Sequence, residues 1–546
     1  MKKVFSFFAL LTISYGLKAQ PYFQRSFGNT CYDEAYSIYA NTDNSFAITG
    51  YTCSYNTTDD VYLLKVNGNS NLIWGRSISI RDQERAYCVI GSTDSEYAIT
   101  GDTRYQDSIV TTKDKAFLLI TNYWGVPQLV KTYGSDSIES HGRCVIESSD
   151  SGFVIVGYSN PLYTDFGHRC DFKNDVFLIK TDRQGVPIWQ EYIDLDGNDD
   201  YGYKVIEANG KYLITGYTVK KCDNTDAFLM QVDFSGGVDW VKSYGSDSND
   251  YSYSLKSTRD SGYVLVGHTY GYGVNPKPDI LVIKTDLNGV PQWKTIYDTR
   301  PNSRENYGRD IVVDDKGYYI TGYSDVISGS LDMQLIKIDN SGRMEWQKVY
   351  GDQDEDRGYS MQLLSDGVIM TGTTYSYGRG HSDVYLVKTD LNGETCLRTL
   401  VDTNYHYIDT LYAEPRFTVD STYLYQDEHY SYRDAGDQDS ICYVDTTYHR
   451  SILNPGTAEN KFDGISFNVF PNPVKGDVPL SIETSSSEEM NLNIQLMDGL
   501  GRILFADKYF IEKGRDVISI NTSAWNSGIY YLKINNAIIK KVVLIK

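Results

Sequence analysis

An apolar run that ends in glycine recurs seven times between residues 46 and 374. The shared glycines stand 50 to 59 residues apart, at Gly50, Gly101, Gly157, Gly216, Gly267, Gly322 and Gly372. A repeat of this length with alternating apolar residues is typical of propeller blades and related repeat architectures. It constrains the fold more than any other feature, because each unit must bury its apolar surface against its neighbours.

Two further elements follow each glycine run in the same order. The first is a strand, a polar turn and a second strand, as in DVYLLKVNGNSNLIW from Asp60. The second is a small residue, usually Tyr, any residue and an aliphatic residue, as in AYCV from Ala86, and a further copy, AYSI from Ala35, precedes the first glycine run. Crowded inner strands around a common axis require a small side chain at the first of these places. Together the elements supply four strands per repeat.

The two ends of the repeat region distinguish a closed ring from an open array. The segment YFQRSFG from Tyr22 matches the outer strand WVKSYG from Trp240, with Phe23 in the tryptophan place. The seventh hairpin, Asp383–Leu397, lacks its own tryptophan. A ring explains both facts, because an N-terminal strand can complete the last blade. We therefore predict an all-β, seven-bladed β-propeller over residues 20–397, with an open solenoid as the alternative.

The N-terminus and the charge bear on location and partners. Residues 1–19 combine two lysines, a short apolar run and small residues before a cut after Ala19, which predicts a signal peptide.

The formal net charge of -21 disfavours nucleic acid and anionic lipid, since both bind clustered Lys and Arg. No later apolar run approaches the length of a spanning helix, so we expect no membrane span.

The repeat ends before the tail. Residues 398–464 are rich in Tyr, Asp and Thr, and they predict a β-rich connector. Seven short strand-like segments follow within residues 465–546, and their density predicts a small Ig-like β-sandwich.

This last region resembles a known family. FPNPVKGDVPLSI from Phe470, LMDGLGRIL from Leu496, SGIYYLKI from Ser527 and the terminal KKVVLIK resemble the type A sorting domain of the type IX secretion system. The resemblance implies a secreted Bacteroidota repeat protein that engages the secretion machinery through residues 465–546. It also implies removal of this domain at the outer cell surface, followed by release or attachment to lipopolysaccharide. Propellers of such proteins carry one Cys after the last repeat and another before the sorting domain, as Cys396 and Cys442 do.

Eight cysteines in an exported chain suggest disulfides. Loop positions predict pairs within the first blade and between adjacent repeats, and the resemblance adds a third pair. The predicted disulfides are Cys31–Cys53, Cys170–Cys222 and Cys396–Cys442. Cys88 and Cys144 occupy matching inner-strand places and form either a fourth disulfide or a pair of free buried thiols.

An acidic residue stands two places before the small residue in five repeats, at Asp33, Glu84, Asp200, Asp250 and Asp356. In a ring these side chains would converge near the central channel, where a cation or a basic ligand could bind. Alternatively, each carboxylate caps backbone N–H groups of its own turn, and the repetition favours this interpretation. The segment Asp194–Asp200 resembles part of a calcium loop without its glycine and distal Glu. We expect a solvated acidic turn there and predict no cofactor, Ca²⁺ being the one considered.

No GxSxG, HExxH or P-loop pattern occurs in the sequence. The chain is therefore interpreted as a non-catalytic binding or adhesion module for glycans or proteins. Its candidate loops are Tyr105–Lys115, Asn160–Asn174 and Tyr270–Pro278. One alternative is a secreted polysaccharide hydrolase or lyase that uses acidic residues at the channel mouth, and another is a structural surface protein. Paired carboxylates with raised pKa values in a cleft would favour the enzyme, and exposed aromatic residues would favour binding.

Overall fold

The computed structural model describes residues 22–545 apart from 56–57, 94–95, 107–111, 135–137, 162–173, 196–198, 221–223, 272–276, 298–304, 326–328, 397–399, 403–405, 409–417, 421–424, 428–430, 435–437, 445–464, 471–473, 476–479, 487–489, 499–502, 512, 521–527 and 535–536. The predicted signal peptide lies outside these residues. The chain forms two compact units, Met1–Leu453 and Asn454–Lys546. The regular elements are all β-strands. Within the described part of the chain, no helix is long and apolar enough to cross a membrane.

The first unit contains seven blades of antiparallel strands. Strand β1 (Tyr22–Phe27) comes first in the chain. Blade 1 contains β2 (Asp33–Ala40), β3 (Ser45–Thr52), β4 (Asp60–Asn67) and β5 (Leu72–Ser79). Blade 2 contains β6 (Gln83–Gly91), β7 (Tyr97–Gln106), β8 (Thr112–Thr121) and β9 (Pro127–Tyr133). Blade 3 contains β10 (Ile138–Glu147), β11 (Phe153–Pro161), β12 (Asp175–Thr181) and β13 (Pro187–Asp194).

The remaining blades repeat this order. Blade 4 contains β14 (Asp199–Ala208), β15 (Lys211–Lys220), β16 (Asn224–Val232) and β17 (Val238–Tyr244). Blade 5 contains β18 (Asp250–Ser257), β19 (Tyr263–Thr269), β20 (Asp279–Thr285) and β21 (Pro291–Tyr297). Blade 6 contains β22 (Asn306–Asp314), β23 (Gly317–Ser324), β24 (Asp332–Asp339) and β25 (Met344–Tyr350). Blade 7 contains β26 (Asp356–Leu363), β27 (Val368–Thr374) and β28 (Asp383–Thr389).

Strand β1 completes blade 7, as the sequence predicts. It pairs antiparallel with β28, and Phe23 lies opposite Lys388. Trp74 lies opposite Lys65 in the same register of blade 1, so Phe23 occupies the tryptophan place. Phe23 is fully buried. The seven-bladed propeller is therefore confirmed, and the N-terminal strand closes its ring.

The polar turn of the hairpin is closed by its own aspartate in blades 3 to 7, and by Asn67 and Asn122 in blades 1 and 2. In blade 3, Oδ1 of Asp182 accepts the backbone N–H groups of Gln184 (2.9 Å) and Val186 (2.8 Å). Gly185 has a φ of +70°, a left-handed conformation that glycine adopts without steric cost. The same carboxylate pattern occurs at Asp233, Asp286, Asp339 and Asp390. These bonds explain why the repeat retains Asp and Gly at this spacing.

Aromatic residues of one blade hold the turn of the next blade. The Trp240 ring lies against Gly289, where a Cβ would press on the indole. The buried Tyr244 hydroxyl donates a hydrogen bond to the Gly289 carbonyl at 2.7 Å. Equivalent tyrosine bonds join blades 2 to 3, 5 to 6 and 6 to 7, at 2.6 to 2.9 Å. Several of the chain's 48 tyrosines therefore join neighbouring blades rather than bind ligands.

The connector adds a fifth strand to six of the blades. Its strands are β29 (Leu400–Asp402), β30 (His406–Ile408), β31 (Thr418–Asp420), β32 (Tyr425–Asp427), β33 (Ser431–Asp434) and β34 (Gln438–Val444). They pair antiparallel with the outer strands of blades 6, 5, 3, 2, 1 and 7, in that order. Blade 4 keeps four strands among the described residues. The added strands cover outer edges that could otherwise pair with other chains.

The second unit is a two-sheet β structure. Its strands are β35 (Ile465–Phe470), β36 (Val474–Lys475), β37 (Leu480–Ser486), β38 (Met490–Asp498), β39 (Ile503–Ile511), β40 (Gly514–Ile520), β41 (Gly528–Ile534) and β42 (Ala537–Ile545). One sheet has the order β35-β37-β40, and the other has the order β36-β42-β41-β38-β39. Buried residues from both sheets, including Ile482, Ile518, Ile494 and Leu532, form its core. The predicted small sandwich is confirmed.

Phe23→Ala should destabilise the propeller strongly. The variant removes a fully buried ring from the strand that closes blade 7, and such truncations cost about 3 to 5 kcal/mol. Urea unfolding followed by tryptophan fluorescence measures the loss. The control is Ile188→Ala on β13, where the side chain is exposed and the expected change is under about 0.5 kcal/mol. Equal unfolding midpoints for the two variants would argue against closure by β1.

Candidate functional site

The five acidic residues singled out in the sequence are all fully buried. Each carboxylate accepts a backbone N–H from the turn that precedes its strand. The donors are Asn29 to Asp33 (2.8 Å), Arg81 to Glu84 (2.6 Å), Leu195 to Asp200 (2.5 Å), Ser246 to Asp250 (2.6 Å) and Asp352 to Asp356 (3.1 Å). One such residue serves each of five blades, so the set caps turns locally.

Burial changes the protonation of these carboxylates. It raises the pKa of Glu84 to about 7 and the pKa of Asp356 to about 6. It also raises the pKa of Asp200 and of Asp250. Because the groups are inaccessible to solvent, these shifts follow from desolvation within the turns and not from a solvent-filled cleft.

The channel is lined by residues that the sequence analysis did not single out. Every inner strand has a β-bulge at the second motif place, where one residue is left unpaired. The repeat glycine of the neighbouring strand makes room for the bulge: a Cβ on Gly216 would overlap the carbonyl oxygen of Tyr201, and the other six glycines face the same obstacle. A bulge redirects the side chain of its extra residue. We call these seven residues the channel ring: Tyr36, Tyr87, Arg143, Tyr203, Tyr253, Arg309 and Tyr359.

Members of the channel ring contact one another in cyclic order. The Tyr36 ring lies 5.2 Å from Tyr87 and 5.0 Å from Tyr359, between centroids. The Arg143 guanidinium lies 3.9 Å from the Tyr87 centroid, and Arg309 lies 4.3 Å from the Tyr253 centroid. These cation–π contacts hold the two arginines among tyrosine faces. All seven side chains are half-buried, so the channel ring keeps some solvent contact.

Above the channel ring lies a continuous row of eight aromatic side chains from blades 3 to 6, which stack or tilt against each other within a blade and meet edge to face between blades. They occupy the inner-strand place before the small residue and the second-strand place after the glycine. We call this set the aromatic rim: His141, Tyr158, Tyr201, Tyr217, Tyr251, His268, Tyr307 and Tyr323. Neighbouring centroids along this order lie 4.4 to 4.9 Å apart, within blades and between them. Five of the eight rings are half-buried and reach solvent.

In blades 1, 2 and 7 the equivalent inner-strand places carry the charged residues Glu34, Arg85 and Arg357, and the second-strand places carry Tyr51, Asp102 and Thr373. Glu34 accepts a hydrogen bond from the Tyr36 hydroxyl at 2.6 Å. Arg85 donates to Asp59 at 2.9 Å, and Arg357 forms an ion pair with Glu355. The mouth of the channel is therefore aromatic on one side and charged on the other.

The protonation of Asp102, at the boundary of the two sides, and of His268, within the aromatic rim, shows how the mouth is charged at neutral pH. Burial would raise the pKa of Asp102, but Arg143 and His141 together lower it, so this carboxylate is ionised. Its Oδ2 lies 3.4 Å from Arg143 and 3.1 Å from Nδ1 of His141. Burial and the charge of Arg309 lower the pKa of His268 well below its usual value. The imidazole of His268 therefore stays neutral within the aromatic rim.

The ends of two predicted loops contact the aromatic rim. Asn174 donates from Nδ2 to the Tyr201 hydroxyl at 2.7 Å. The Tyr270 ring lies 5.5 Å from His268 and 6.2 Å from Tyr251. Most of Asn160–Asn174 and of Tyr270–Pro278, and residues 107–111 of Tyr105–Lys115, lie outside the described residues.

The cysteines follow the sequence analysis in part. Cys31 and Cys53 form the predicted disulfide. Cys170 and Cys222 lie outside the described residues. Cys396 is disulfide-bonded, and its pairing with Cys442 of β34 stays a prediction. Cys88 and Cys144 are free and buried, with sulfurs 3.7 Å apart.

A sequence signal for the channel ring was present at the second motif place. That place holds Tyr in five repeats and Arg in two, with no other residue type. This restriction to two residue types is a stronger sequence signal than the preference for acidic residues two places before the small residue. The rim residues could not be found this way, because their places also hold Glu, Arg, Asp and Thr in other blades.

Glu84→Gln should flatten the pH dependence of stability. The folded protein retains a proton on Glu84 up to about pH 7, because burial raises the pKa of this side chain, whereas the unfolded chain loses the proton near the ordinary glutamate pKa of 4.5. The free energy of unfolding therefore falls as pH rises through this window. The variant cannot ionise, so its free energy of unfolding should rise by about 3 kcal/mol relative to that of wild type between about pH 4.5 and about pH 8.

Urea unfolding at about pH 4.5 and about pH 8 measures this change. Glu345→Gln is the matched control, because Glu345 is exposed. If the free energy of unfolding of Glu84→Gln changed with pH as much as that of wild type, the expectation would be contradicted.

Comparisons with known proteins bear mainly on the second unit. Residues 468–546 match the family described as the secretion system C-terminal sorting domain. The comparison with curated proteins finds no match. Similar solved structures include Sqt1 from Chaetomium thermophilum, at 8% identity and a TM-score of 0.37, covering 68% of this chain and 85% of that one. A protein of unknown function from Dyadobacter fermentans has 8% identity and a TM-score of 0.36, covering 67% and 98%.

A xylan β-1,4-xylosidase from Bacillus halodurans is similar at 9% identity and a TM-score of 0.31, covering 73% of this chain and 99% of that one. Likeness of this degree carries no information on ligand or activity. The matched tail does bear on location. The chain is a β-propeller protein with a C-terminal sorting domain, which marks it for export by type IX secretion to the cell surface or beyond.

Proposed function

We propose that the protein is an exported, non-catalytic binding module whose ligands are glycans held at the aromatic rim. The observation that carries the proposal is the unbroken row of eight aromatic rings in contact across four blades. Half-buried tyrosines offer large, rigid contact area at low entropic cost, together with a polar hydroxyl. The apolar C–H faces of sugar rings can pack on such surfaces while their hydroxyls bond to the charged side of the mouth.

The protonation of the rim suits recognition of neutral hydroxyl groups. Burial raises the pKa of Tyr217 and of Tyr201 above the ordinary tyrosine value. Burial also raises the pKa of Tyr158 to about 12, against the opposing charge of Arg143. These phenols therefore remain protonated and can both donate and accept hydrogen bonds.

A polysaccharide hydrolase is less well supported. Glycoside hydrolysis uses two accessible carboxyl groups, one of them with a raised pKa. The carboxyl groups with strongly raised pKa values here, such as Glu84 and Asp356, are fully buried and already bonded to turns. The half-buried carboxyl groups near the mouth are placed differently: Asp102 has a lowered pKa. Burial raises the pKa of Asp199, which already accepts the backbone N–H of Asn174 at 2.8 Å. Burial and Asp114 raise the pKa of Glu139, and Asp114 is itself paired with Arg104. Protein ligands remain the alternative for the same aromatic surface.

Tyr217→Ala should weaken ligand binding about tenfold or more, because it interrupts the aromatic rim at its centre. The Tyr217 ring lies 4.7 Å from Tyr201 and 4.8 Å from Tyr251, and each aromatic contact contributes on the order of 1 kcal/mol. A glycan and polysaccharide array with the mature full-length protein identifies the ligand, and titration calorimetry then gives the affinities. Tyr217→Phe should bind nearly as well as wild type if the stack matters most.

Trp124→Ala is the matched aromatic control. Trp124 is exposed in the hairpin turn of blade 2, at the opposite ends of the strands from the rim. Its loss should leave affinity unchanged. Released sugars in the array supernatants would favour the hydrolase, and an empty array with binding to a surface protein would favour a protein ligand.

Removal of residues 465–546 should stop export. The truncated protein lacks the matched sorting domain, so it should accumulate in the periplasm while the full chain reaches the surface or medium. Fractionation with immunoblotting measures both forms, and a ligand-binding variant such as Tyr217→Ala serves as an export-competent control. Normal export of the truncated chain would contradict the sorting role.

A further inference from the structure

One residue follows each member of the channel ring along its inner strand. These seven residues are Ser37, Cys88, Cys144, Lys204, Ser254, Asp310 and Ser360. Where the side chain accepts a hydrogen bond, it joins one blade to the next. Ser37 accepts the backbone N–H of Val89 at 3.1 Å, and Asp310 accepts that of Met361 at 2.9 Å. A small polar residue at this place therefore has a structural role.

Three consecutive blades depart from this pattern. Blades 2 and 3 carry cysteine there, and blade 4 carries lysine, which cannot accept a hydrogen bond. Sγ of Cys88 lies 3.7 Å from Sγ of Cys144, and both sulfurs lie within 3.8 Å of the Val145 carbonyl oxygen. Both thiols are free and buried. A disulfide requires sulfurs about 2 Å apart, so a shift of less than about 2 Å would join the two blades covalently.

The Lys204 side chain interacts with this thiol pair by charge and by a hydrogen bond to Cys144. The charge of Cys144 raises the pKa of Lys204, so the amine stays an ammonium. The hydrogen bond from Cys88 and the charge of Lys204 lower the pKa of Cys144, although burial has the opposite effect. The hydrogen bond to Cys144 and burial raise the pKa of Cys88. The arrangement favours a thiolate on Cys144 and a protonated thiol on Cys88.

Two further charged groups act on the cluster from other blades. Lys256 on β18 adds positive charge near Cys144, while burial and the charge of Lys204 lower the pKa of Lys256. Asp310 on β22 adds negative charge near Lys204, but this carboxylate already accepts the Ser254 hydroxyl at 2.7 Å. Lys204 and Lys256 are half-buried, so space for a water-sized molecule lies beside them. A small polar reagent in this space would lie close to the thiol pair.

We propose that Cys88 and Cys144 form a peroxide-reactive dithiol site, which a small hydroperoxide converts into a disulfide between blades 2 and 3. Cys144 is the attacking sulfur, and Cys88 resolves the product. The sorting domain marks the chain for export, which takes it away from the reducing cytosol. The proposal is independent of glycan binding at the aromatic rim, because it concerns the thiols alone.

The reaction has two balanced steps. The Cys144 thiolate attacks one oxygen of hydrogen peroxide, the O–O bond breaks, and a sulfenic acid and a hydroxide form. The hydroxide takes a proton from solvent. The Cys88 sulfur then attacks the Cys144 sulfur, the S–O bond breaks, and the oxygen leaves as water with the Cys88 proton. The two sulfurs together lose two electrons, which reduce the peroxide to water.

The disulfide would act on the channel ring. Tyr87 precedes Cys88, and Arg143 precedes Cys144. The Arg143 guanidinium lies 3.9 Å from the Tyr87 centroid. A covalent link one residue away would hold these two ring members in contact.

Differential alkylation of the mature full-length protein tests the site. The folded protein is treated with dithiothreitol, desalted and exposed to a small molar excess of hydrogen peroxide. It is then alkylated in denaturant and digested without reduction. Mass spectrometry should find Cys88 and Cys144 in one linked pair, about 2 Da lighter than the two free thiol peptides. Free thiols after peroxide, linkage to other cysteines, or sulfonic acid at either position would overturn the proposal.

Serine variants separate the two roles. Both should fold, because Ser occupies this place in blades 1, 5 and 7. Cys88→Ser should stop at the sulfenic acid, which dimedone traps on Cys144, and Cys144→Ser should leave Cys88 unlabelled under the same conditions. Equal dimedone labelling of the two variants would contradict the assigned roles.

Lys204→Met tests the source of the reactivity. The rate of disulfide formation should fall at least about fivefold at about pH 7 and recover toward the ordinary thiol pKa of about 8.5, because fewer thiolates are present. Lys204→Arg keeps the positive charge and should restore most of the rate. Lys316→Met, at an exposed position, should leave the rate unchanged. A rate and pH profile of Lys204→Met equal to those of wild type would overturn the proposal.

Discussion

The structure depends on closing seven sheets into a ring, and closure rests on one ladder between distant parts of the chain. Strand β1 pairs with β28 over five residue pairs, so residues more than 350 positions apart form a single blade. Without that ladder, blade 7 would expose an unsatisfied edge and blades 1 and 7 would lose a shared surface. The tyrosine and tryptophan contacts that join neighbouring blades can act all round the ring only because this strand is in place.

The same backbone pattern that packs the inner strands also builds the candidate ligand surface. The repeat glycines allow the inner strands to bulge, and the bulge turns one side chain per blade toward the axis. The neighbouring places then lie at the mouth, where a blade can carry either an aromatic or a charged residue without affecting its packing. The fold and the proposed recognition surface thus depend on adjacent residues of one short motif, which lets the surface vary while the scaffold remains constant.

Much of the fold could be predicted from the sequence, because the length of a repeat and its alternation of apolar and polar residues can be read directly from the residues. The glycine spacing gave seven blades, and the likeness of Phe23 to the blade tryptophans gave the closure. The fifth strands of the connector could not be predicted, since strands of three or four residues carry no periodic signal and their partners lie far away in the chain. The aromatic rim also escaped prediction, because it arises from pairing in register between strands and between blades rather than from any linear pattern. The acidic residues were conspicuous in the sequence for a local reason, the capping of turns.

The position of β34 has a mechanical consequence. This strand lies on the far side of β1 from β28, so the N-terminal strand is held between two ladders and is not an outer edge. Tension applied to the chain beyond Val444, as a transport machine pulling on the tail would apply it, loads the β34–β1 ladder before it reaches any blade core. Several backbone hydrogen bonds of that ladder share the load, so the propeller ring can stay closed while a force acts on the end of the chain.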